Sequence, residues 1–237
     1  MRFPDKKALP PLLLLPLLVL SCARSSTKAE FSPLPGHIRR VAVMELVPAL
    51  NSNEAPRPFR SPFTGAVFMA EPVSRDVTQK MTSLLYRGLV EKKGAGDIIF
   101  IPPGQTRGVR AAILSRLRSA KEGRVSQVST DVAREVGRAL GAQAVLGGIV
   151  YRWRERVGGP YGAERGASVG YELFLIDVDT GRLLWKWRFD KTQLPLTENL
   201  FDAETFLGAG GKWMTALELA SLGLEKFFNQ FLLWCEK

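Results

Sequence analysis

The chain has 237 residues, 46% of them hydrophobic and 24% charged, an ordinary globular balance that excludes both a disordered tail and several large domains. A chain of this length buries roughly 70–75% of the surface its unfolded form exposes, enough for a self-sufficient core. With 33 Lys and Arg against 23 Asp and Glu the net charge is +10, and two cysteines exclude a disulfide framework.

Arg2, Lys6 and Lys7 precede an apolar run from Ala8 to Leu20 that only prolines interrupt. The run is shorter than the roughly 20 residues that span a bilayer, and its prolines disfavour a lasting helix, so residues 1–21 read as a removable export signal. Its end, Val19-Leu20-Ser21-Cys22, resembles the bacterial lipobox: an aliphatic residue, a small residue, then cysteine. The resemblance implies a diacylglyceryl group on the Cys22 thiol, cleavage just before it, and acylation of the new amine by a palmitate-type chain. At about 0.8 kcal/mol per buried CH₂, two or three such chains anchor a protein far more firmly than one. Ala23-Arg24 follows instead of the aspartate that often retains such lipoproteins at the inner membrane, so the expected address is the outer membrane, facing the periplasm. Without residues 1–21 the net charge is still +8.

Residues 22–37 are small, polar and proline-bearing, a lipidated flexible tether. The α/β domain is expected over 38–237. Val41 to Leu46 reads as a buried first strand, and the proline-rich stretch 47–73 as a long irregular connection. Ser74 caps a helix whose stripe is Val77, Met81, Leu84, Leu85 and Leu89, with Gly94-Ala95-Gly96 as its stop. Ile98–Ile101 is a short strand ended by Pro102-Pro103. Val109, Ile113 and Leu117 mark a second helix, and Ser129 or Thr130 opens a third that Gly141 closes.

From Ala144 the chain is continuously apolar, then alternates, with Ile149, Tyr151 and Trp153 assigned to one face and Arg152, Arg154 and Arg156 to the other. Gly158–Gly162 turns the chain, Val169–Val178 is another strand, and Asp179-Thr180-Gly181 turns into Arg182–Phe189. There Leu183, Trp185, Trp187 and Phe189 oppose Arg182, Lys186 and Arg188. Thr215-x-x-Glu218 is a capping box opening a last helix to about Leu233, with an apolar arc broad enough for core packing or for a partner. The expected fold is a single mixed-sheet α/β sandwich with a C-terminal antiparallel meander and a final amphipathic helix.

Leu140-Gly-Ala-Gln-Ala-Val-Leu-Gly-Gly148 and Leu175-Ile-Asp-Val-Asp-Thr-Gly-Arg-Leu-Leu-Trp185, in this order of elements, resemble a superfamily of bacterial envelope lipoproteins. It includes the curli-secretion lipoprotein, the activator lipoproteins of penicillin-binding proteins, and TolB amino-terminal-like domains. The resemblance covers roughly residues 38–190. It implies a non-enzymatic periplasmic domain that binds a partner or assembles with copies of itself. A curli-type channel needs two membrane-crossing hairpins. Gly158–Ala167 is too short and glycine-rich for one, and Asp190–Lys212 lacks sustained alternation. A binding or regulatory component of an envelope assembly machine is therefore favoured; the alternative is a ring-forming subunit of a curli-like export complex.

The chemistry-bearing residues are few. His37 stands at the tether junction without a cysteine or carboxylate near it in sequence, so no metal site is expected. Asp177 and Asp179 read as turn formers, not as an acid/base pair, and no motif for a nucleophile, cofactor or phosphate loop is present. Cys235 is left over, a spare thiol or an intermolecular disulfide. Arg152, Arg154, Arg156, Lys186 and Arg188 form the candidate partner-binding face, for an anionic envelope polymer or an acidic protein; export argues against nucleic acid.

Overall fold

The computed structural model describes residues 34–92, 97–120, 129–194 and 212–235. The export signal, Cys22, most of the tether, Gly94-Ala95-Gly96 and most of the Asp190–Lys212 connection lie outside them. Strand β1 (Arg40–Val43) sits between two parallel neighbours, β5 (Ile99–Ile101) and β6 (Ala144–Arg154), with Val41 opposite Phe100 on one side and Ala144 on the other. Burial of β1 on both faces explains why its sequence is a continuous apolar run. β6 pairs antiparallel with β9 (Ser168–Asp177), and β9 with β10 (Leu183–Thr192), which makes the meander and gives the order β10-β9-β6-β1-β5. β2 (Val47–Pro48) adds a short parallel pairing to β6. The fold is α/β with a mixed sheet.

Helices α1 (Arg75–Glu91) and α4 (Ala216–Cys235) cover one face; α2 (Pro103–Ala120) and α3 (Thr130–Ala139) cover the other. Ser74 caps α1 by accepting from the Val77 N–H, and Met81, Leu85 and Leu89 bury the expected stripe. α2 starts at Pro103, a turn and a half before its first apolar marker. Proline suits that position because its φ is preset and its missing N–H would find no partner there. Ser129 caps α3, and Gly141 follows it at φ +61°, the left-handed conformation that ends helices. The capping box of α4 is formed: the Thr215 N–H donates to Glu218 at 2.7 Å and the Glu218 N–H donates back to Thr215 Oγ1 at 3.2 Å. Phe227, Phe231 and Trp234 pack on Trp185 of β10, so the broad arc of α4 is core. Cys235 belongs to that helix as its last residue, half-buried against the core, and does not lie beyond it.

Three features depart from the sequence reading. The stretch 47–73 is not irregular: it contains β2 and an antiparallel hairpin of β3 (Arg57–Arg60) and β4 (Val67–Ala70), turned at Gly65 with φ +70°. A bulge between Val150 and Arg152 breaks the alternation of β6. Ile149 faces α3, Tyr151 packs with Leu50 and Phe68, and Trp153 is turned to the α1/α4 core. A second bulge after Leu183 turns that residue toward α3, away from Trp185, Trp187 and Phe189, which face α4. A small hairpin of β7 (Val157–Gly158) and β8 (Ala163–Arg165) carries the Gly158–Gly162 turn.

Candidate functional site

The five basic residues do not form one open patch. Arg152 and Arg188 converge from β6 and β10 on the single carboxylate of Asp190, to which the Tyr151 hydroxyl also donates at 3.0 Å. Burial pushes the Asp190 carboxyl up, but Arg152, Tyr151 and Arg188 outweigh it and hold it below the usual aspartate range. The same burial, with Asp190 beside it, drives the Tyr151 phenol well above its ordinary value, so it stays a donor. Arg154 pairs with Glu71, beyond β4, at 3.0 Å. Arg156 spends two of its donors on backbone carbonyls, Trp213 at 2.6 Å and Gly158 at 3.3 Å, and its charge acts on the Glu218 carboxyl. Lys186 is exposed on β10. These contacts tie β6 to β10 and to the end of β4, and the positive charge left for a partner falls on Lys186 and on the Arg152–Arg188 pair, which shares one carboxylate.

The β3–β4 hairpin, which the sequence did not announce, folds onto the same side of the sheet. Phe63 at its tip stacks on Phe174 at 3.7 Å, and Phe68 stacks on Tyr151 at 3.9 Å. Between these rings Glu172, buried on β9, accepts from Ser61 Oγ at 2.5 Å and from Thr64 Oγ1 at 2.7 Å. A buried carboxylate is tolerated only with such donors. The available signal was the Phe59/Phe68 pair and Gly65, but prolines at 56, 58 and 62 masked the strand pattern.

Asp177 is a turn former, as its position implied: it accepts from the Thr180 N–H at 2.7 Å and hydroxyl at 2.8 Å. Burial raises its carboxyl, and these bonds bring it below the ordinary value. His37 does have a carboxylate neighbour, contrary to its sequence surroundings: its Nε2 lies 3.6 Å from Asp177, brought there across the sheet end. Among the described residues no group of three His, Cys, Asp or Glu side chains is arranged to hold a metal ion, and no helix is long and apolar enough to cross a membrane.

No family model and no curated protein matches the chain. Solved structures similar to it include the PelC dodecamer from Paraburkholderia phytofirmans, 18% identical over 84% of this chain and 89% of that one, with a TM-score of 0.42. The C-terminal domain of LpoB from Salmonella enterica is 16% identical over 66% and 84%, at 0.33. Lipoprotein GNA1162 from Neisseria meningitidis is 16% identical over 72% and 96%, at 0.32.

Proposed function

We propose that this chain is a non-enzymatic lipoprotein of the bacterial envelope, anchored in the outer membrane through Cys22, with its α/β domain in the periplasm binding and regulating an assembly machine. The observation that carries the reading is Val19-Leu20-Ser21-Cys22, with a low-complexity tether between it and the first strand. The geometry supports binding over catalysis. The carboxylates of the sheet are committed to fastening it: Asp190 to two arginines, Glu172 to two hydroxyls, Asp177 to its turn. Of Arg152, Arg154, Arg156, Lys186 and Arg188, the proposed docking face draws its attraction for an anionic polymer or acidic protein from Lys186 and from the charge left over where Arg152 and Arg188 share Asp190, while Glu71 and backbone carbonyls engage Arg154 and Arg156. Crosslinking in intact cells followed by mass spectrometry tests this. Recovery of one envelope protein or polymer fragment, lost in salt-dependent fashion with Lys186→Glu, supports the reading; a partner indifferent to that change refutes the docking face.

One observation favours the ring-forming alternative. Among the described residues the sheet ends on β5 and β10 with no further strand beyond either, and Ile99 on β5 is 60% exposed. Such edges can pair with another copy. Light scattering of the full chain in detergent separates the readings: a stable ring at micromolar concentration favours the second, a monomer the first.

A further inference from the structure

The helical connections of this sheet diverge at β1 and β5. α1 links β1 to β5 across one face, whereas α2 and α3 link β5 to β6 across the other. In open α/β sheets that divergence leaves a crevice outside the carboxyl ends of the strands, where ligands bind. Here the crevice is present as two adjoining lobes of about 360 and 480 Å³ that share Glu45, Gln79 and Arg107. Those volumes fall in the range of small-molecule sites.

Both walls are fixed to the segment between them, the end of β1 and the connection that follows it. Thr82 Oγ1 on α1 accepts from the Leu46 N–H at 3.0 Å and donates to the Thr78 carbonyl at 2.6 Å. Thr106 Oγ1 on α2 donates toward the Val43 carbonyl at 3.0 Å. The two hydroxyls are buried, so the cleft is preformed and a ligand need not order it.

The lining is cationic. Arg75 enters from the first turn of α1, and Arg107 and Arg110 from α2; Glu45 is the acid facing them, 2.6 Å from Arg107. Arg110 is buried in the wall, and the Glu45 charge acts on it as well. Arg107 thus already receives one carboxylate, a planar anion that matches the guanidinium fork, and the lining holds three guanidiniums to that one acid.

We propose that this cleft binds a small ligand through an oxyanion, a carboxylate or phosphoryl group, held by Arg75, Arg107 and Arg110, with Glu45 as the internal anion it competes against. The site lies apart from the sheet-face arginines and does not depend on their role.

The test is calorimetric titration of the full chain in detergent with citrate and with inorganic phosphate. One or both bind saturably; citrate alone assigns a carboxylate ligand and phosphate alone a phosphoryl one. Arg107→Ala and Arg75→Ala weaken binding about tenfold, Arg107→Lys less, and Glu45→Gln tightens it. Arg182→Ala, on the turn before β10, leaves it unchanged. Each variant is checked for wild-type circular dichroism and melting, and Arg107→Lys keeps the charge should the alanine variant misfold. No saturable binding of either anion by about 10 mM, or binding indifferent to Arg107 and Arg75, overturns the proposal.

Discussion

Trp185→Ala should be the most damaging single substitution in the β10–α4 seam. The side chain is 3% exposed, and its ring meets Phe227 and Phe231 edge-on, each at 5.3 Å and near 70°, with Trp187 at 6.2 Å and Trp234 at 6.3 Å. Truncating a buried tryptophan costs about 3–5 kcal/mol, and edge-to-face pairs add about 0.5–1.5 kcal/mol each without strict additivity. The loss should therefore sit at the top of the range, about 4–5 kcal/mol, a large share of the 5–15 kcal/mol that holds a typical domain. Trp187 is only half-buried, so Trp187→Ala should cost less, about 1–3 kcal/mol. Urea unfolding of the full chain, followed by far-ultraviolet circular dichroism because the mutations remove fluorophores, gives both values. A Trp185→Ala loss below about 1 kcal/mol, or two equal losses, would refute the placement of α4 on this face.

Gly88→Ala should lower the melting temperature although alanine is the better helix former by about 1 kcal/mol, because its Cβ would lie 2.1 Å from the Phe228 ring across the α1–α4 contact. Glu172→Ala strips the Ser61 and Thr64 hydroxyls of their acceptor; a loss of about 1–3 kcal/mol is expected, with faster amide exchange over β3 and β4 than over β1. Asp190 has a folded-state pKa below its unfolded one, so the unfolded chain binds more protons in acid. The stability it contributes is complete above the ordinary aspartate value and is lost as pH falls through the lower, folded one. Asp190→Asn should therefore flatten the loss of stability below about pH 4 in acid titrations; an unchanged acid slope would mean the Arg152–Asp190–Arg188 contacts are not held in solution.

The sequence made the fold legible wherever a pattern ran unbroken. The stripe of α1, the capping box at Thr215 and the Asp177–Gly181 turn formed where their residues placed them, and the apolar run from Val41 gave the first strand, which ends at Val43 and not at Leu46. Alternation failed at the bulges after Val150 and Leu183, because one inserted residue reverses which face each following side chain takes and composition does not mark the insertion. That is why Tyr151 and Trp153 part company and why Leu183 leaves the tryptophans. The candidate site was half legible. The arginines were visible as charge, but their partners, Asp190 and Glu71, come from other strands and loops, 38 and 83 residues away from Arg152 and Arg154 respectively. The Glu45 cleft left no sequence signal, since Glu45, Arg75 and Arg107 belong to three separate segments that only the parallel β1–β5 pairing draws together.

The envelope reading rests on the sulfur of Cys22, and labelling it tests that reading most directly. Cells expressing the full chain are fed an alkyne fatty acid, and the wild type is compared with Cys22→Ser by click detection and membrane fractionation. A lipid on Cys22 gives a labelled wild-type band in the outer-membrane fraction, and an unlabelled Cys22→Ser form that is unprocessed or released. An unlabelled wild-type protein, or a Cys22→Ser protein still labelled and still in the outer membrane, would contradict it.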